Sequence, residues 1–263
     1  LRNFVPQNVK RAATNALGRK TSRKIVVIES DDWGSIRMPS AQTYRILEKK
    51  GLVIDDHYNR FDALATRDDL AALFEVLSCF RDGKGNRPMI TSNCHVANPD
   101  FETIRNDHFS RYHYEPFTDT LKRFPGCDGS FLLWEQGREE GIFMPQFHGR
   151  EHLNVALWME ALQGRHSETL FAFEHGFWGQ TTNYPSARLR CFLVAFDFRG
   201  RDELEPVCAA AADGFRMFEK IFGYKPKSFV APNLVWPEEI EKTLFELGCT
   251  SIQGQRNQVI PSP

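Results

Sequence analysis

The sequence predicts an α/β domain whose strands run parallel, in one sheet or one barrel. Short apolar runs of strand length alternate along the chain with amphipathic segments of about 10–20 residues, the pattern of strand–helix–strand units. The connections between them are short. At 263 residues, with no internal repeat and no low-complexity linker, the chain is expected to form one domain with a sizeable core.

Residues 1–23 stand apart as a basic extension: Arg2, Lys10, Arg11, Arg19, Lys20 and Arg23 occur there with no acid. Val5, Val9, Ala12, Ala13, Ala16 and Leu17 share one face at helical spacing, and Gly18 can end such a helix. This reads as a solvated amphipathic helix docked beside the first strand, since it lacks the apolar core of a secretory signal. The barrel domain then spans 24–263. It opens on "KIVVIE", a near-continuous apolar strand over 24–29. A helix over 41–50 ends at Gly51, and Thr66-x-x-Asp69 is a capping box opening a helix through residue 80. "DGKGN" is a turn and "RPMITS" a strand, followed by helices over 100–106 and 117–124.

The second half repeats the alternation. "GIFMPQF" is a strand, 152–163 a helix, and "TLFAFEH" a strand. A long helix over 202–222 has apolar positions at Leu204, Val207, Ala211, Phe215, Phe218 and Phe222. "KSFVAP" is a strand, 237–247 a helix with Pro at its start, and "CTSIQ" a strand.

The charge balance, 33 basic against 34 acidic residues, gives −1 and no field that would recruit nucleic acid or an anionic membrane. No window approaches the roughly 18 apolar residues of a membrane span. The six cysteines are scattered, without a C-x-x-C pair, in apolar neighbourhoods such as "FEVLSCF". They read as buried free thiols in a reducing compartment, and a cytoplasmic location is expected.

In parallel α/β folds the chemistry gathers at the C-terminal ends of strands. There the sequence places Asp31 and Asp32, Asn93 and His95, Gln146 and His148, Glu174 and His175, and Pro232 and Asn233. "ESDDW" is the odd member, because clustered carboxylates repel unless a cation lies among them. His148-x3-His152, at the mouth of the expected helix, would put two imidazoles on one side of a turn. Alone, the pair is either a set of ligands or two surface or capping histidines. Joined to one carboxylate, it makes a facial triad with open positions for water and substrate. The second carboxylate is then free to act as general base.

These stretches resemble the motifs of the NodB-type polysaccharide deacetylases. The family's T-F-D-D-G is matched by Glu29-Ser30-Asp31-Asp32-Trp33-Gly34 and its H-[ST]-x-x-H by His148-Gly149-Arg150-Glu151-His152. Its R-x-P-Y is matched by Val230-Ala231-Pro232-Asn233, after the "GYKP" turn. The resemblance covers roughly 24–253 and implies a distorted (β/α)7 barrel that removes N- or O-acetyl groups from a saccharide. It further implies Asp31 as general base, and Asp32, His148 and His152 as ligands of a divalent metal, most often zinc, that activates water.

The departures are specific. Val230 stands where the family has an arginine that holds the catalytic aspartate, and Asn233 replaces its tyrosine. Arg150 or Arg37 could supply that cation. The family's late motifs are absent; with Leu rather than Met at position 1, further chain is expected at both ends. For the general acid, His95 and His175 are candidates, each equally readable as a hydrogen-bonded framework histidine. Trp33 and Trp178 either line a sugar cleft, with Asn93, Arg150, Pro232 and Asn233 about it, or belong to a core already rich in its 22 Phe. Two other readings stand beside the deacetylase: an impaired relative that only binds metal or carbohydrate, and a metal-free glycoside hydrolase pairing Asp31 or Glu29 with Glu174.

Overall fold

The computed structural model describes residues 20–52, 57–185, 187–255 and 258–261, together with positions 6, 8, 9, 12, 15 and 16. The helix expected before Gly18 therefore lies largely outside the described residues. Strands β1 (Ile28–Trp33), β2 (Ile90–Cys94), β5 (Phe143–Phe147), β6 (Ser228–Val230) and β7 (Ser251–Gln253) form one sheet in the order β1-β2-β5-β6-β7. Every neighbouring pair is parallel. The sheet curls as half a barrel, and the Gln253 amide on one edge strand reaches the Glu29 carboxylate on the other. A complete seven-stranded barrel is thus not formed by the described residues.

The difference from expectation has local causes. "TLFAFEH" is not a strand but helix α8 (Ser167–Glu174), with Thr169, Ala172 and Phe173 buried at helical spacing. An unbroken apolar run carries no period by itself, and its neighbours decided here. β1 begins at Ile28 rather than Lys24 and leaves Ile25, Val26 and Val27 exposed. Its partner β2 starts only at Ile90, just after Pro88, which has no N–H to offer a ladder. A short antiparallel pair, β3 (Ala97–Pro99) with β4 (Tyr114–Pro116), is inserted after β2.

Helices pack around the sheet. α1 (Ala41–Lys50) ends at Gly51, and α2 (His57–Phe61) follows. α3 (Arg67–Ser78) carries the Thr66–Asp69 capping box as expected. α4 (Phe101–Asn106), α5 (Phe117–Arg123) and α6 (Ser130–Glu139) precede β5. α7 (Val155–Gln163), α9 (Arg201–Phe222) and α10 (Glu238–Leu247) complete the set. α9 buries Ala211, Phe215, Phe218 and Phe222 in one stripe, each Phe contributing about 1.5–3 kcal/mol by burial. That stripe meets Phe147 and Phe229 of the strands in the main core. A second core under α7 and α8 gathers Trp158, Phe173, Trp178 and Phe192. All six cysteines are free; Cys94, Cys127 and Cys249 are buried, whereas Cys79, read as buried, is exposed at the end of α3. No described helix is long and apolar enough to cross a membrane.

Candidate metal centre

β1 does not run straight to its end. Ser30 pairs with Ser92 but Trp33 with Cys94, so β1 spends one residue more than its partner and bulges at Asp31–Asp32. Asp32 takes the left-handed conformation, φ 67°. A non-glycine residue held there is strained, and such strain concentrates at functional sites. Gly34, also left-handed, lets the chain turn away hard against β2, for a Cβ there would lie 2.5 Å from the His95 carbonyl oxygen. The main-chain N–H of His95 donates to Trp33 O (2.8 Å) and that of His148 to Cys94 O (2.9 Å), continuing the ladder past both strand ends.

The histidine pair is not on a helical turn. α7 starts only at Val155, where the Asn154 side chain caps it by accepting from Leu157 N–H, and 148–154 is a loop. The Asn154 amide also donates to Asp197 O (2.9 Å), tying the loop down. The loop folds so that both rings face the bulge of β1. His148 Nε2 lies 3.1 Å, His152 Nε2 3.4 Å and His95 Nε2 3.6 Å from the same Asp32 Oδ1. One atom from each of the four residues lies within 4.8 Å of every other, and the three imidazoles are buried.

The protonation pattern shows what fits between them. His148 Nδ1 is 2.8 Å from the Val230 carbonyl, which can only accept, so Nδ1 carries a proton and donates there. Nε2 is therefore the ring nitrogen turned to Asp32 Oδ1, where it either donates to the carboxylate or is offered to an ion. Both ring nitrogens of His95, and Nδ1 of His152, lack a hydrogen-bond partner among the described residues. Burial first, then the neighbouring imidazole of His148, holds His95 well below its ordinary pKa. Burial lowers His152 to about 4 against the pull of Asp32. Burial opposes ionisation of Asp32, but His152, His148, His95 and Arg37 outweigh it and hold the carboxylate far below its usual range. A carboxylate and neutral nitrogens aimed at one point are the donors a divalent transition ion takes.

Arg37 Nη2 holds the other oxygen, Asp32 Oδ2, at 2.5 Å. The buried guanidinium is itself fixed by Asp62 through Nε (2.6 Å) and by Asn59 through Nη1 (3.2 Å). Arg37 therefore serves the inner carboxylate Asp32, not Asp31 as the expected replacement would. Arg150 serves neither: it is bound by Glu151 and Asp213 and lies 4.1 Å over the Tyr114 ring. Asp31 is exposed, with Oδ1 accepting from Asn93 Nδ2 at 2.7 Å.

The remaining expected residues lie elsewhere. His175 ends α8 with Nδ1 against Phe171 O (2.8 Å) and its ring on Phe171, in a framework role. Trp33 packs its edge against Trp134 and Phe143. Trp178 is fully buried and donates Nε1–H to Ile36 O. Trp178 is thus a core residue rather than the wall of a cleft, and Trp33 is half-buried against the core. Pro232 is buried at the start of a short turn and Asn233 is exposed in it, with φ 54°. Gln146 braces β5 to β6 by accepting from Lys227 and Ser228 N–H. Glu174 is exposed and pairs with Arg105 at 3.1 Å.

Asn59, Asp62 and the Val230 carbonyl were not foreseen. Arg37, a lone cation in the otherwise uncharged "GSIRMPSA", was the available signal for a buried partner.

No family model matches the chain, and no curated protein matches it. Among solved structures, one described as the structure of IcaB from Ammonifex degensii aligns at 12% identity. The alignment covers 90% of this chain and 91% of that one with a TM-score of 0.31, a likeness too low to carry fold or function.

Proposed function

We propose that this chain is a metal-dependent hydrolase that removes N- or O-acetyl groups from a saccharide, in the manner of the polysaccharide deacetylases its motifs resemble. The observation that carries the reading is the convergence of three imidazole Nε2 atoms on one oxygen of Asp32 at the C-terminal ends of β1, β2 and β5.

Asp32, His148 and His152 would hold the ion, and zinc is the first candidate. When bound, the ion supplies Lewis-acid activation of water and polarises the acyl carbonyl. The chain's own residues do the rest. Asp31, next to the ligand carboxylate and open to solvent, takes the proton from the attacking water and returns it to the departing amine or alcohol. The products are acetate and a free amine or hydroxyl. Asn93 holds Asp31 Oδ1 and keeps the carboxylate aimed, without the arginine that the family places on its base. Because His95 is enclosed and His175 is bonded to the Phe171 carbonyl of its own helix, Asp31 carries the proton both ways.

The lack of a cation on Asp31 among the described residues favours a second reading, a relative that binds metal or sugar without turnover. The test is metal content by inductively coupled plasma mass spectrometry, then acetate release from chitooligosaccharides and acetylated xylan. Wild type is expected to hold about one metal per chain, His148→Ala to lose it, and Asp31→Asn to keep it while losing about 10²–10⁴-fold in rate. Equal acetate release by wild type and Asp31→Asn on every donor, with metal present, selects the binding reading.

A further inference from the structure

We infer that His95 is a fourth protein ligand, so that the centre offers a closed set of three imidazoles and one carboxylate oxygen rather than an open two-histidine triad. The inference rests on the metal-centre reading above and goes beyond its three ligands.

His95 is fully enclosed, at 0% exposure, and both its ring nitrogens are without a hydrogen-bond partner among the described residues. Its ring centroid lies 4.5 Å from that of His148 and 5.1 Å from that of His152. Its Nε2 approaches the same Asp32 Oδ1 that the other two approach, the separations being 3.1, 3.4 and 3.6 Å. Donors held about 2.0–2.1 Å from one tetrahedral ion stand about 3.4 Å apart, near the middle of these three values. A ring so enclosed has no route for exchanging protons with solvent at each turnover, which sets it apart from a general acid.

Arg37 completes the count. By occupying Asp32 Oδ2 it leaves that carboxylate one free oxygen, and Asn59 and Asp62 prevent the guanidinium from swinging away. The result is four donor atoms, one per residue. Structural zinc sites are closed in this way, whereas catalytic ones keep a position open. For this chain, a substrate or water reaches the ion only by expansion to five ligands or by loss of one. His95 is the residue whose removal opens the centre.

X-ray absorption on the zinc-loaded wild-type chain counts the imidazoles directly, without any variant. Three are expected, and two would overturn the inference. The second measurement loads cobalt into wild type and His95→Ala and follows the visible spectrum during an azide titration. The wild-type spectrum is expected to stay unchanged over the range in which His95→Ala saturates, and added imidazole to restore the wild-type spectrum to the variant. Superimposable spectra with the same azide response would remove His95 from the ligand set while leaving the three-ligand centre intact. A wild-type chain that takes up neither zinc nor cobalt defeats the metal-centre reading itself, and this inference with it.

Discussion

At Asp32 one side chain answers to four partners, and the cost of removing any of them depends on what stays buried. Arg37 is the extreme case. Its loss strands Asp32 and Asp62, two mostly buried carboxylates, with no cation between them. Breaking a buried pair from one side costs about 3–5 kcal/mol, far more than an exposed ion pair is worth. Arg37→Ala is therefore expected to lower unfolding stability by about that amount in urea, and a loss under 1 kcal/mol would show that Asp62 and Asp32 rehydrate freely. His152 supplies the pH dependence. Its folded pKa of about 4 lies below the ordinary 6.5, so between those values the unfolded chain binds a proton that the folded chain refuses. Stability of the metal-free protein is thus full above about pH 6.5, declines as pH falls, and has lost about 3 kcal/mol by pH 4. Denaturation of wild type and His152→Gln at pH 7 and pH 4.5 checks the sign: the variant should lose much less on acidification.

The site is held by the contact of α9 with the loop between β5 and α7. Gly214 sits on the buried face of α9, where an added Cβ would meet Arg150 Cα at 2.8 Å and Arg150 N at 2.9 Å. Helix propensity favours Ala over Gly by about 1 kcal/mol, but overpacking against backbone costs about 1–3 kcal/mol. The two nearly offset in stability and do not offset in position. Gly214→Ala is expected to push the loop carrying His148 and His152 off Asp32, so that zinc affinity falls more than stability does. Isothermal titration beside a thermal melt separates the two, and unchanged affinity would mean that the helix, not the loop, gives way. This contact was invisible in the sequence, where "ADGFRMF" reads as an ordinary helical stripe. The loop itself was misread as the start of a helix, because Asn154 caps α7 two residues beyond His152.

For the molecule as a whole, the proposed ligands come from the ends of β1, β2 and β5, strands adjacent in the sheet, so the ion should tie together elements more than 50 residues apart. Binding only the folded state stabilises it by about 2.7 kcal/mol at a hundredfold excess of ligand over its Kd. Zinc is therefore expected to raise the melting temperature by several degrees and a chelator to reverse it, with the shift absent in His148→Ala. Most helices, and the positions of β2, β5, β6 and β7, could be read from the chain, because apolar periodicity, caps and turns are local. The acidic end of β1 and the H-x3-H pair likewise marked, from residue type alone, two parts of the cluster that Asp32, His148 and His152 form.

What the sequence could not decide was everything that depends on which face meets which. "TLFAFEH" became a helix because neighbouring cores took its apolar residues at helical spacing, and β1 began late because β2 offered it no earlier partner. His95 joined the cluster, Arg37 turned to Asp32 rather than Asp31, and Val230 entered through a carbonyl that fixes the His148 tautomer. By itself the sequence determined the donors available for a metal and the strands that carry most of them. Their number, their orientation and the burial of the imidazoles came only with the tertiary structure, because those are set by contacts between residues distant along the chain.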